Sequence, residues 1–220
     1  MKGNLIFDGE YLNGKKWNGK GYDNNNQIIY ELKEGKGCVK ECDVYGRIKF
    51  EGEYLNGKRN GKGKEYDFNG NIIFEGKYLN DKKWTGKGYK RNNIIYELKD
   101  GKGFINSEEF KGEYINGERN GKGKEYWDGN LIFEGEYLNG KQWNGKGYNN
   151  NQIIYELKDG NGLVDTKYFK GEIKNGERNG KEYNLLGKLI YEGEYLNGKR
   201  WNGNEKEYDY YDNIILKENI

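Results

Sequence analysis

The period of this sequence constrains it more than any other feature. The stretch FEGEYLNGKRNGKGKEYDFNGN, Phe50 to Asn71, returns as close copies that open near Phe7, Phe74, Phe110, Phe133, Phe169 and Tyr191. Three shorter copies, opening at Tyr30, Tyr96 and Tyr155 with YELKEGKG, YELKDGKG and YELKDGNG, fill the intervals, so successive openings fall 14 to 24 residues apart. A unit that short has no core of its own and becomes stable only by stacking on its neighbours. A second period of about 59 residues overlies the first, because the openings at Phe50, Phe74 and Tyr96 recur at Phe110, Phe133 and Tyr155 and again at Phe169, Tyr191 and Ile214. Duplication of a three-unit block accounts for it.

Within a unit, Ile73-Phe74-Glu75-Gly76-Lys77-Tyr78 alternates aromatic or glycine with charge. That two-residue period predicts a strand with one covered face and one wet face. Asn56-Gly57-Lys58-Arg59-Asn60-Gly61 supplies the positive-φ residues of a tight reversal, Lys62 to Tyr66 is read as the return strand, and Asn69-Gly70-Asn71 makes the second reversal. Each unit is then one hairpin. Glycine inside a strand costs about 0.5–1 kcal/mol relative to alanine, so Gly52, Gly76, Gly112, Gly135, Gly171 and Gly193 are expected to make room for rings such as Tyr54 or Tyr66. The expected architecture is all-β: an elongated single-layer antiparallel sheet of about ten consecutive β-hairpins, a rod on the order of 100 Å. It forms one continuous array over residues 1–220, with hairpins opening near 7, 30, 50, 74, 96, 110, 133, 155, 169 and 191 and an unfinished terminal strand near 213–218. Sequence losses after Gly103 and Gly162 predict changes of curvature there. A terminal strand left unpaired invites pairing with another chain.

Composition bounds the function. Charged residues make up 34% and mean hydropathy is −1.21, values typical of disorder, but an aromatic content of 15% and the strict period overrule that reading. There is no histidine, proline or alanine, which argues against long helices and removes the commonest general base and metal ligand. Lys and Arg total 38 against 36 Asp and Glu, so no global field gathers nucleic acid. No apolar run approaches the roughly 20 residues of a membrane span, and the first hairpin follows Met1 too closely for a signal segment. The expectation is a soluble, intracellular protein. Cys38 and Cys42 on one extended strand lie roughly 13 Å apart, too far for a disulfide, and are read as free thiols.

No constellation for catalysis presents itself, and no cofactor or metal ligand set is assigned. Glu51, Glu53 and their equivalents recur with the strand period and read as a solvated face. The GKGKE strings lack the helix of a phosphate-binding loop, and two cysteines without histidine do not close a zinc site. The repeated feature that hairpin geometry does not demand is Trp17, Trp84, Trp143 and Trp201, each in a turn one residue longer than that at Asn56 and flanked by Lys15 and Lys16, Lys82 and Lys83, Lys141, and Lys199 and Arg200. Arg59, Arg119 and Arg178 join the same edge. Aromatic plus cation suits an anionic lipid surface or the acidic, apolar patch of a protein partner. Alternatively, each Trp folds over the neighbouring turn and seals the array. Trp127 sits elsewhere and is read as packing.

These residues resemble the MORN (membrane occupation and recognition nexus) repeat, whose unit reads approximately YEGEWxNGKxHGxGxxxxxDGxxY. Phe50-Glu51-Gly52-Glu53-Tyr54, Asn56-Gly57-Lys58, Gly61-Lys62-Gly63 and Asn69-Gly70 fall on its positions. Tyr54 stands where many members have Trp, and Asn60, Asn120 and Asn179 where His is usual. The resemblance implies a non-catalytic scaffold for protein partners, often dimeric and often within a cytoskeletal assembly. It also implies phosphoinositide-type binding in some members, or the regulatory array of an enzyme on another chain.

Overall fold

The computed structural model describes residues 5–43, 45–196, 198–208 and 214–219, and the side chains of all of these except 215–219. The described residues form β-strands and turns with no helix, and the strands pair antiparallel with their neighbours in sequence, as β1 does with β2, β5 with β6 and β8 with β9. The first sheet orders β1 (Phe7–Leu12), β2 (Lys15–Tyr22) and β3 (Ile28–Leu32). The second runs from β4 (Gly37–Cys42) and β5 (Ile48–Leu55) through β6 (Lys58–Tyr66), β7 (Ile72–Leu79) and β8 (Lys82–Lys90) to β9 (Asn93–Leu98). In the third lie β10 (Gly103–Asn106), β11 (Phe110–Ile115), β12 (Glu118–Trp127), β13 (Asn130–Leu138), β14 (Lys141–Asn149) and β15 (Gln152–Leu157). The fourth holds β16 (Gly162–Asp165), β17 (Phe169–Lys174), β18 (Glu177–Tyr183), β19 (Leu189–Leu196), β20 (Lys199–Tyr208) and β21 (Ile214–Asn219). The expected opening at residue 213 is outside the described residues; from Ile214 the terminal strand pairs with β20.

Each opening read from the sequence falls on an odd-numbered strand, but the single continuous layer is corrected to four sheets. The breaks lie at the three short units. There the opening strand ends one sheet and the return strand begins the next, and the two are joined only by one bridge: Lys33 to Lys36, Lys99 to Lys102, or Lys158 to Asn161. The cause is local. Leu32, Leu98 and Leu157 are buried at each corner, and a Cβ at Gly37, Gly103 or Gly162 would lie 2.4–2.5 Å from the carbonyl oxygen of Glu31, Glu97 or Glu156. The chain therefore crosses itself closely instead of laddering on. Two of the three corners are the places where curvature was expected to change. By contact the chain divides into two compact units, Met1–Ser107 with Tyr114–Glu118, and Glu108–Glu113 with Arg119–Ile220.

The reversals are also tighter than the sequence reading. Asn56 and Gly57 both have positive φ (54° and 68°), the signature of a two-residue turn whose twist matches the flanking strands. Lys58 already begins β6.

The core is a row of rings lying on glycine. Phe50, Phe74, Phe133 and Tyr191 are fully buried, with Phe7, Phe110 and Phe169 nearly so. Beneath them the register aligns glycines across strands: Gly52 with Gly63 and Gly63 with Gly76 in the first unit, and Gly171 with Gly180 and Gly180 with Gly193 in the second. A Cβ at Gly63 would stand 2.7 Å from the Phe50 ring, and one at Gly52 would stand 2.6 Å from the backbone of Gly63. The rings that use this room are Phe50 and Tyr78, with Tyr30, Tyr96 and Tyr155 over Gly21, Gly88 and Gly147. They are not Tyr54 or Tyr66, as expected from sequence; Tyr66 instead donates to Glu51 on the wet face. Neighbouring rings meet edge to face, Phe50 with Tyr78 at 5.2 Å and Phe74 with Tyr78 at 5.5 Å. On the opposite face charges alternate across strands in the order Lys40, Glu51, Lys64, Glu75, Lys87, Glu97.

Gly63→Ala is expected to lower stability by about 2 kcal/mol or more, since neither ring nor backbone can withdraw. Gly70→Asn, in a turn with φ +82° and no atom within 4 Å of the added Cβ, should change it by less than about 0.5 kcal/mol. Urea midpoints of the two variants provide the comparison.

Candidate functional site

The four tryptophans are not in turns. At Trp17, Trp84 and Trp143 a two-residue turn comes first, and in all four cases the tryptophan is the extra residue of a β-bulge in the return strand. Glu10 pairs with Asn18 but Tyr11 with Lys16, leaving Trp17 unpaired. The same shift isolates Trp84 between Thr85 and Lys83, Trp143 between Asn144 and Gln142, and Trp201 between Asn202 and Arg200. A bulge re-aims the side chain it frees. The sequence signal was the one-residue excess, which had been assigned to the turn.

Three of these indoles lie against the glycine of the next short turn. A Cβ on Gly35 would be 2.8 Å from the Trp17 ring, one on Gly101 2.7 Å from Trp84, and one on Gly160 2.5 Å from Trp143. The amides of these glycines donate to the carbonyls of Trp17, Trp84 and Trp143 at 2.7, 2.7 and 2.8 Å. The glycine carbonyls in turn accept from Gly57, Gly117 and Gly176 at 2.9, 2.8 and 2.8 Å. The sealing alternative therefore describes the geometry at Trp17, Trp84 and Trp143. Trp201 differs: it is 60% exposed.

The cations of the same edge are turned inward. Arg59 lies 4.1 Å over the Phe50 ring, Arg119 4.5 Å over Phe110, Arg178 5.2 Å over Phe169 and Arg200 5.0 Å over Tyr191. Lys16 and Lys83 cover Phe7 and Phe74 in the same way, at 4.9 and 5.0 Å. Carboxylates hold several of these cations in place: Glu41 and Glu65 on Arg59 (both 2.8 Å), Glu65 on Lys83 (2.7 Å), Glu125 on Arg119 (2.6 Å), and Glu182 and Glu205 on Arg200. Lys82 and Lys141 pair with Glu118 and Glu177 of the next full turn, at 2.7 and 2.6 Å. Lys15 packs its stem against Gly57, and Lys199 is exposed beside Trp201.

Sequence reasoning missed a second set of residues. Trp127, read as packing, is 75% exposed at the second reversal of its unit, and Phe68, at the corresponding reversal, is 70% exposed. Tyr45, Leu185 and Leu186 occupy further such reversals at 74%, 75% and 77%. The turns that follow the Trp strands are polar instead: Arg91-Asn92 and Asn150-Asn151. The signal was one or two apolar residues inside DFNG, WDG and NLLG. In the first unit the wet face also forms an open groove of about 740 Å³, with Gly52, Gly63 and Gly76 among its lining and Lys40, Glu51 and Lys64 beside them. Cys38 lines it as an exposed free thiol; Cys42 is also free, and burial raises its pKa above the ordinary thiol value.

Glu41 and Glu182 sit at equivalent positions, each accepting from a tyrosine and an arginine: Tyr54 and Arg59, Tyr195 and Arg200. Partial burial works against ionisation, but the hydrogen bonds and the guanidinium charge outweigh it and hold both carboxyls below the ordinary value near 4.5. A depressed carboxyl pKa means that protonation favours the unfolded chain. This stabilisation is therefore full above about pH 4.5 and is lost as pH falls through the depressed value. Glu41→Gln with Glu182→Gln is expected to lower stability at pH 7, by about 1–2 kcal/mol at the more buried Glu41 and by less at Glu182, which solvent screens, and to flatten the further fall between pH 5 and pH 2. Calorimetry across that range measures both.

The MORN repeat family model matches residues 50–72, 110–130, 169–181 and 191–201. No curated protein matches the chain. MORN repeats are in general protein- or membrane-interaction modules and are themselves non-enzymatic. The matched segments open on Phe50, Phe110, Phe169 and Tyr191, the ring residues that lie over paired glycines, and at these four positions along the chain the sequence is similar to the MORN repeat.

Proposed function

We propose that this chain is a non-catalytic scaffold that binds protein partners, working inside the cell and within a cytoskeletal assembly. The observation that carries the reading is the repeated apolar tip: Phe68 and Tyr45 in one unit, and Trp127, Leu185 and Leu186 in the other, stand exposed at reversals where a purely structural turn needs only Asn, Asp or Gly. Large apolar groups presented at intervals, each among charged neighbours, are what a protein interface buries first.

The anionic-lipid alternative calls for the Trp and basic residues of the bulge edge to face outward. Arg59, Arg119, Arg178, Arg200, Lys16 and Lys83 instead cover rings, and Lys82 and Lys141 are paired, which favours the protein reading. Control of an enzyme on a separate chain is a special case of the same binding.

Replacing Phe68, Trp127, Leu185 and Leu186 by serine should leave the circular dichroism and thermal midpoint close to those of the parent, because little burial is lost. It should remove most of the cross-links that the parent forms in native extract. The parent should not float with phosphatidylserine vesicles at low salt. Unchanged cross-links, or salt-sensitive flotation, would overturn the reading.

A further inference from the structure

The strand glycines leave a bare strip of backbone on the wet face of the second sheet. Val39, Gly52, Gly63, Gly76 and Gly86 stand in register across β4 to β8, and the residues before and after them in the chain form two flanks. Lys40, Glu51, Lys64, Glu75 and Lys87 make one flank, with signs that alternate. Cys38, Lys62, Lys77 and Thr85 lie along the other. Two residues of strand separate the flanks, roughly 7 Å, and the strip crosses five strands, roughly 19 Å. This is the open groove of about 740 Å³.

The second flank breaks the charge pattern of the repeat. The residue after the strand glycine is glutamate in the other six full units, at Glu10, Glu53, Glu113, Glu136, Glu172 and Glu194, but lysine at Lys77. Lys77 stands directly opposite Lys62, where the third sheet pairs Lys122 with Glu136. Like charges opposite each other across strands repel. Glu10 and Glu136 are also held by the side-chain amides of Asn18 and Asn144, at 2.8 and 2.9 Å. At that place beside Lys77 stands Thr85, which has no such amide and accepts instead from the backbone of Asp100 at 3.0 Å. Nearby carboxylates are engaged elsewhere: Glu53 takes the backbone amide of Lys62, Glu51 the Tyr66 hydroxyl and Glu75 the Lys64 ammonium. Among the described residues none pairs with the ammonium of Lys62 or Lys77. The groove is lined by Lys40, Lys62, Lys64 and Lys77 against Glu51 and Glu75, an excess of two positive charges. A local rule broken without compensation inside the chain marks a functional surface.

We infer that this groove binds an acidic segment of a partner protein, laid in extended form across the strands. One carboxylate sits between Lys62 and Lys77, and a second, about four residues further along, reaches Lys40. The segment's main chain lies over the bare strip, where no side chain obstructs it, and about six extended residues span the length. A nucleic acid strand fits less well, because Glu51 and Glu75 line the same groove and repel a continuous run of phosphates. A single lipid headgroup would use Lys62 and Lys77 and leave the rest of the strip bare. The inference rests on the protein-interaction reading and names the chemistry of the partner. Its test is separable, because the groove lies on the sheet face and the apolar tips at the reversals take no part in it.

The probe is a fluorescein-labelled peptide of alternating Glu and Ala, about eight residues long, titrated into the 220-residue chain and followed by anisotropy. Cys38 reports where it binds, since this exposed thiol lines the groove and Cys42 does not. Saturating peptide is expected to slow alkylation of Cys38 by iodoacetamide at least about threefold and to leave Cys42 unchanged. The same peptide with Gln for Glu should bind at least about tenfold more weakly, as should the Lys77→Glu chain. Lys77→Glu installs the residue that the other six full units carry, so it should fold, with a thermal midpoint at or above that of the parent. The chain with serine at the four apolar tips should bind the peptide as the parent does, which tells failure of the groove from failure of the tips. Equal binding of the Gln peptide or by the Lys77→Glu chain, an unchanged Cys38 rate at saturation, or no binding at millimolar peptide would overturn the inference. So would oligothymidylate or phosphatidylserine vesicles that protect Cys38 better than the peptide, or self-association of the parent that Lys77→Glu abolishes, because each would name a different occupant.

Discussion

Phe50 is sealed from water by backbone below, by Tyr54 and Tyr78 at its sides and by the Arg59 guanidinium above, and the glycines at 52 and 63 make the first of these possible. A ring in contact with backbone buries one whole face, and a cation over the other face adds roughly 0.5–2 kcal/mol depending on its desolvation. The carboxylates of Glu41 and Glu65 then neutralise the cation and fix its position. Glycine, ring, cation and carboxylate thus form a stack that repeats along the chain, with Lys83 over Phe74, Arg119 over Phe110 and Arg200 over Tyr191. This is how a chain so rich in charge retains a core. The basic residues that look like a surface patch in the sequence are the upper layer of that core.

The same stack explains why the turns interact as they do. Because each strand pair is pinched at its glycines, the bulged Trp strand brings its carbonyl to the next short turn, and that turn hands its own carbonyl to the following one. The hydrogen bonds run from turn to turn, Trp84 to Gly101 to Gly117, across the corner where the sheet ladder stops. Continuity lost in the sheet is recovered at the edge.

Much of the fold was legible because the period acts through elementary rules. Alternation places Phe74, Gly76 and Tyr78 on one face, Asn-Gly pairs fix the reversals, and each opening falls on a strand. The four-sheet division was not, because it turns on the close crossing at Gly37, Gly103 and Gly162, where one bridge replaces a ladder. The site was less legible still. Trp17 and its equivalents were correctly singled out, but an inserted residue in NGKKWNG reads the same whether it lengthens a turn or bulges a strand. Arg59 could not be assigned to a ring from sequence, since cation and aromatic lie on different strands. Phe68, Trp127 and Leu185 were passed over because a single apolar residue among Asp, Asn and Gly carries no period of its own.

The most direct test of the ring-on-glycine account is the proton chemical shift of the glycine α-protons at positions 52, 63 and 76. Protons held against an aromatic face are shielded, so at least one α-proton of each residue should resonate well upfield of its position in an open strand, and Phe50→Leu should return those of Gly52 and Gly63 while leaving Gly76 unmoved. Ordinary strand shifts at all three glycines in the folded protein would contradict it.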